Sequence, residues 1–122
     1  MLIEIDLNAK TPIYRQIADK IIAMIGNGDL KEGDKLPSVR NLADVCGINP
    51  MTANKSYKIL EEEGFVDIQK RSGVRVKANS QVKDEDLVDL RQILLKLFAS
   101  GMNGDQIQEL VGKYLEEICY TD

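Results

Sequence analysis

The sequence predicts a mainly α chain with a small β-wing, in which three short helices and a hairpin precede a C-terminal helical hairpin. Three observations carry this prediction. Apolar residues recur at three- and four-residue spacing in five separate stretches. The second and third of these are joined by a turn of a few residues that contains Gly47. Two short alternating runs separated by a polar, glycine-containing turn follow Gly64. The 122 residues, 43% hydrophobic and 30% charged with both signs interspersed, are enough for one small domain with an appendage.

Residues 2 to 7, Leu-Ile-Glu-Ile-Asp-Leu, alternate as a short strand or extended arm would. Thr11 before Pro12 reads as an N-cap followed by proline at the first helical position, where the missing N–H costs nothing. Ile13, Ile17, Ala18, Ile21, Met24 and Ile25 then form the stripe of an amphipathic helix ending at Gly26 or Gly28. Asp29 to Leu36 reads as a loop. Ser38 caps a second, short helix with Val39, Leu42, Ala43 and Cys46 on one face and Gly47 at its end. Asn49-Pro50 repeats the cap-plus-proline signal and opens a third helix, from about Pro50 to Glu63, closed by Gly64.

Phe65 to Gln69 is a strand pattern, Lys70 to Gly73 a polar turn, and Val74 to Lys77 alternates again, giving a hairpin with a basic tip. These elements together make a winged helix-turn-helix over residues 1 to 77, with a linker starting near Ala78. Residues 78 to 122 make a helical hairpin with one stripe of Leu87, Leu90, Leu94, Leu97 and Phe98. After a break at Ser100 to Gly104, a second stripe comprises Ile107, Leu110, Val111, Tyr114, Leu115 and Ile118. Both stripes are wider than one neighbouring helix requires, which suggests a homodimer paired through this tail about a two-fold axis.

Several function classes fall away on composition. With no His in the chain, the usual general base, the commonest metal ligand and any Ser-His or Cys-His pair are absent. Cys46 and Cys119 are far apart and read as buried structural thiols. No metal site, cofactor or catalytic residue is expected, and the chain does not read as an enzyme. No apolar run approaches the ~20 residues of a membrane span, and the N-terminus lacks a signal-peptide pattern, so a cytoplasmic protein is the expectation. The net charge of −4, taken whole, opposes a polyanionic partner, but it is unevenly placed. Residues up to Lys77 carry +1 and those after it −5, while residues 35 to 77 alone carry +3.

The third helix has two unlike faces. Ala53, Ser56, Tyr57 and Leu60 form a small and apolar seam, whereas Met51, Asn54, Lys55 and Lys58, with Thr52 beside them, bear thioether, amide, ammonium and hydroxyl groups and no acid before Glu61. A helix lying in a DNA major groove needs such a surface: Asn can read adenine, Thr and Met can meet thymine methyls, and Lys can meet guanine or phosphate. A solvated helix face would look similar. Ser38 and Arg40 beside the turn, and Lys70, Arg71, Arg75 and Lys77 in the hairpin, are candidates for phosphate or minor-groove contacts. The run Glu61-Glu62-Glu63 cannot converge on one atom and reads as a solvated helix end.

The stretches Leu36-Pro37-Ser38-Val39-Arg40-Asn41-Leu42-Ala43, Gly47 to Thr52 and Leu60-Glu61-Glu62-Glu63-Gly64-Phe65 resemble the winged helix-turn-helix of the GntR family of bacterial transcription regulators. Pro12-Ile13-Tyr14-Arg15-Gln16-Ile17 and the short two-helix tail are similar to its YtrA subfamily. The resemblance implies sequence-specific binding of a double-stranded DNA operator, by a homodimeric repressor on a palindromic site, through Ser38, Arg40, Asn49, Met51, Thr52, Asn54 and Lys55. It departs from the family in two places: Asn54 stands where many members have a basic residue, and Arg71 where the wing commonly has glycine. A winged-helix module that binds another protein is the alternative reading, and a small-molecule effector is left unassigned.

Overall fold

A computed structural model describes residues 3–69, 73–77 and 81–119. The elements run α1 (Ile13–Gly26), β1 (Lys35–Leu36), α2 (Val39–Cys46), α3 (Pro50–Glu62), β2 (Val66–Gln69), β3 (Gly73–Val76), α4 (Asp84–Ala99) and α5 (Gly104–Cys119). The chain divides into two compact units, Met1–Asn79 and Ser80–Asp122. Mainly helical content with a small antiparallel sheet agrees with the expected fold class.

In the first unit, α3 is the central element and packs against α1, α2 and β2. Its seam of Ala53, Ser56, Tyr57 and Leu60 is wholly buried, as the periodicity predicts. Ile17, Ala18 and Ile21 of α1, Leu42 and Ala43 of α2, and Leu36, Val66, Val74 and Val76 of the sheet complete the core. Alanine and serine at the crossing points let the helices approach closely. The one polar residue buried there is satisfied: Ser56 Oγ lies 2.9 Å from the Tyr14 carbonyl and 3.2 Å from that of Thr52. Tyr57 fills the centre and donates its hydroxyl to the Pro37 carbonyl at 2.5 Å.

The strands form a sheet of order β1-β3-β2, all antiparallel. Residues 35–36, expected within a loop, are a correction: Lys35 pairs with Arg75 and Leu36 with Val74. Two residues are too few to show alternation, and their partners lie about forty positions downstream. Residues 3–6 form neither helix nor strand, their Ile3 and Ile5 are half-buried, and they pair with no strand among the described residues. Gln16 holds this arm instead, accepting from the Asp6 N–H and donating to the carbonyls of Asp6 and Thr11. The start of α1 also differs from expectation. Pro12, with ψ of 151°, is itself the cap and the Thr11 side chain caps nothing, so the helix begins one residue later.

In the second unit, Asp84, Glu85 and Asp86 in the first turn of α4 and Lys96 in its last suit the helix dipole. Gly101, at φ 107°, permits the reversal. Asn103 and Gln106 then form a reciprocal capping box, each side chain accepting from the other's N–H at 2.8–2.9 Å, so Gly104 belongs to α5 rather than to the break. Neither helix contains a buried residue. Cys119, expected to be buried, is exposed, while Cys46 is half-buried.

Burial, and secondarily the neighbouring Cys46, raises the pKa of the Tyr57 phenol well above its usual 10. A group whose pKa is raised by folding contributes stability that is complete below the unfolded-state value and is lost as pH climbs toward the folded-state one. Tyr57→Phe should therefore cost about 1 kcal/mol at neutral pH through the lost hydrogen bond, and flatten the fall in stability above pH ~10. Urea unfolding measured from pH 7 to 11 checks both effects.

Candidate nucleic-acid interface

The turn between α2 and α3 is built from caps. Ser38 Oγ accepts the Asn41 N–H at 3.1 Å and starts α2. Gly47 ends it in the left-handed region, φ 67°, which a β-carbon would strain. Asn49 Oδ1 accepts the Met51 N–H at 2.7 Å, and Pro50 supplies the first helical position of α3. The side chain of half-buried Ile48 packs on the core and fastens the turn from below. The first turn of α3 is thereby fixed independently of any ligand.

The face opposite the buried seam carries Met51, 80% exposed, exposed Lys55 and Lys58, and half-exposed Thr52 and Asn54. Asn54, Lys58 and Arg40 of α2 have no side-chain partner among the described residues. Other expected contact residues have intramolecular work as well. Ser38 and Asn49 are caps. Lys55 Nζ sits 4.0 Å from the centroid of the Tyr14 ring, a cation–π contact that draws it toward α1. Arg75 donates to the Gly33 carbonyl at 3.1 Å. Lys70 and Arg71 lie outside the described residues.

Two residues beside this face carry no local signal of a place there. Lys35 is placed directly across from Arg75 by the register of β1 on β3, so two cations face each other on adjacent strands. Like charges so placed repel one another, and a phosphate between them would relieve the repulsion. Tyr14, from α1, sets the position of Lys55. Only the long-range packing reveals either.

The acids at the end of α3 are exposed, as expected of a solvated helix end, but two of the three also have partners. Glu61 Oε2 accepts the Ile68 N–H at 3.1 Å, and Glu63 takes a bidentate pair from Arg15, at 2.8 and 3.3 Å. Asp19 flanks the same guanidinium at 2.7 Å. The Glu63 hydrogen bonds, then Asp19, outweigh partial burial and raise the Arg15 pKa. Two of the three acids thus serve the scaffold and leave the outer face of α3 with amide, thioether and ammonium groups.

In the second unit, Leu94, Leu97, Ile107 and Leu110 are half-buried, while Leu87, Leu90, Phe98, Val111, Tyr114, Leu115 and Ile118 are exposed. Val88, Ile93 and Leu95, outside the expected stripe, are exposed too.

A family model described as bacterial regulatory proteins, gntR family, matches residues 13–76. The HTH-type transcriptional repressor YtrA of Bacillus subtilis is 32% identical over 120 residues, covering 90% of this chain and 89% of that protein. Among solved structures, YtrA from Sulfolobus acidocaldarius, a GntR-family transcription factor, is 48% identical and covers 81% of this chain and 99% of its own, with a TM-score of 0.71. A structure described as a transcriptional antiterminator from Listeria monocytogenes EGD-e is 29% identical and covers 100% of this chain and 96% of its own, with a TM-score of 0.84.

Asn49→Ala should destabilise the first unit by about 1 kcal/mol through loss of the cap, and Asn49→Ser should recover most of it. Thermal unfolding of the two variants beside the wild type checks this.

Proposed function

The chain belongs to the GntR family of bacterial regulatory proteins, in its YtrA subfamily, and carries that family's DNA-binding winged helix; from that premise we propose that it is a cytoplasmic repressor that binds a palindromic operator as a homodimer. The observation that carries the proposal is the outer face of α3: a rigidly capped helix whose exposed groups suit base edges and phosphates, with two nearby acids engaged elsewhere. In this reading α3 enters the major groove. Arg40 and Ser38 hold the adjoining backbone, and Lys35 with Arg75 meets phosphate beside the wing.

Pairing through the tail is supported by the apolar surface of α4. On a helical projection its apolar residues span roughly 220°, against the ~100° that one neighbour covers. α5 accounts for part of this arc and a second copy for the rest, with Leu87, Leu90, Phe98, Tyr114, Leu115 and Ile118 at the seam. A two-fold pair matches an inverted repeat. Repression follows from occupancy of a promoter, in keeping with the repressor YtrA relative.

In vitro selection from a random duplex pool should enrich an inverted repeat with half-sites about one helical turn or more apart. Affinity for it should fall steeply with salt, by close to one logarithmic unit per phosphate contacted for each tenfold rise. Arg40→Ala should weaken specific and random duplexes alike and reduce the salt slope by about 1. Shallow salt dependence with no enriched repeat would favour a protein-binding module instead. Leu90→Asp combined with Phe98→Asp should yield a monomer in sedimentation at micromolar concentration. A persistent dimer would remove the tail as the interface.

A further inference from the structure

We propose that the first two turns of α3 read A·T base pairs rather than G·C pairs, with Met51 against a thymine methyl and Asn54 on an adenine edge. This rests on the operator-binding reading above and narrows it to a class of sequence.

The side chains that could discriminate bases there are few. Lys55, which would otherwise meet guanine, is held over the Tyr14 ring at 4.0 Å and leans toward α1. Thr52 is on the flank of the face, where it lines a cavity with Ile5, Ile13 and Ile48. Lys58 stands seven residues beyond Met51, about 10 Å further along the axis, where a helix entering by its N-terminus meets backbone rather than bases. Met51 and Asn54 remain.

These two stand at i and i+3, on one face and about 4.5 Å apart along the axis, close to the spacing of successive base pairs. Met51 is 80% exposed, although its backbone is locked by the Asn49 cap. The apolar group that a major groove offers such a side chain is the 5-methyl of thymine. Asn54 has an amide with no partner among the described residues, and its donor and acceptor match the N7 and N6 of adenine. Neither can make the bidentate two-donor contact that guanine rewards. Arg40, on α2, is outside the claim.

The test uses the full chain, with selection from a random duplex pool performed for the wild type, Met51→Ala and Asn54→Ala. Positions whose preference vanishes in a variant are those its side chain reads, and both are expected to be A·T pairs. Replacing the thymine with deoxyuridine at the Met51 position should cost the wild type about three- to fivefold in affinity and Met51→Ala nothing, while Met51→Leu keeps part of the sensitivity. Replacing the adenine with 7-deazaadenine should cost the wild type at least fivefold and Asn54→Ala little. Lys55→Ala should lower affinity for all duplexes alike.

The proposal is overturned if the vanishing positions are G·C, if deoxyuridine costs Met51→Ala as much as the wild type, or if Lys55→Ala erases a guanine preference. If no variant loses a preference while an inverted repeat is still enriched, this inference fails alone. If no repeat is enriched for the wild type, the operator-binding reading fails and takes this one with it.

Discussion

Burial of one side of α3 is the constraint on which the first unit depends, and Tyr57 is where it is fastened. The ring lies at the centre of the core and the hydroxyl reaches the Pro37 carbonyl, immediately before the Ser38 cap of α2. One side chain thus joins the middle of α3 to the point where β1 gives way to α2. Ser56, one residue earlier on the seam, reaches the Tyr14 carbonyl and joins α3 to α1. With two polar tips anchored in opposite directions, α3 can neither slide nor rotate without stranding a buried hydrogen-bonding group, at a cost of roughly 1–3 kcal/mol each. Its outer face is therefore presented at a fixed angle, which groove recognition requires.

The same packing sorts the charges. Arg15, flanked by Asp19 on its own helix, draws Glu63 to the α1 side, and Glu61 turns to the backbone of β2, so the two acids at the end of α3 are engaged away from its outer face. Individually such exposed pairs contribute little stability, since both partners are about a third or more solvent-accessible. Their larger effect is on potential. Cations on the outer face of α3 and on the sheet keep their field, while the nearby acids are compensated at short range. The motif Pro12 to Ile17 gains a physical account: Tyr14 positions Lys55, Arg15 takes Glu63, Gln16 clamps the arm and Ile17 enters the core.

What was legible in the sequence follows from how local each signal is. Caps and glycine stops at Ser38, Gly47, Asn49 and Gly64 are encoded within a few residues, and the α2–α3 turn could be read from them directly. The buried seam of α3 is equally local, a matter of 3.6-residue periodicity. β1 was missed because its evidence is its partner on β3. The roles of Glu61, Glu63, Lys55 and Arg75 were missed for the same reason, since each depends on a residue that the chain brings back from elsewhere. The Asn103–Gln106 box was local and readable in principle, but the glycine beside it reads as a break before it reads as a helix start.

The tail shows what a local pattern can and cannot decide. Periodicity specifies two helices, and their caps specify where they turn, yet neither says what covers the apolar residues left half-exposed. Helices of this kind, of 16 residues each, draw most of their stability from tertiary packing of an apolar face. A hairpin of two such helices with no buried residue gains little from its own packing. The apolar residues of both helices are largely exposed, so the second copy proposed above would supply the helices' stability as well as the symmetry. Were the tail paired in that way, its folding and its pairing would be one equilibrium, and the fraction of ordered tail would depend on protein concentration. An operator that binds two copies would stabilise such a tail as it assembles them, coupling the order of residues 84–119 to occupancy of the site.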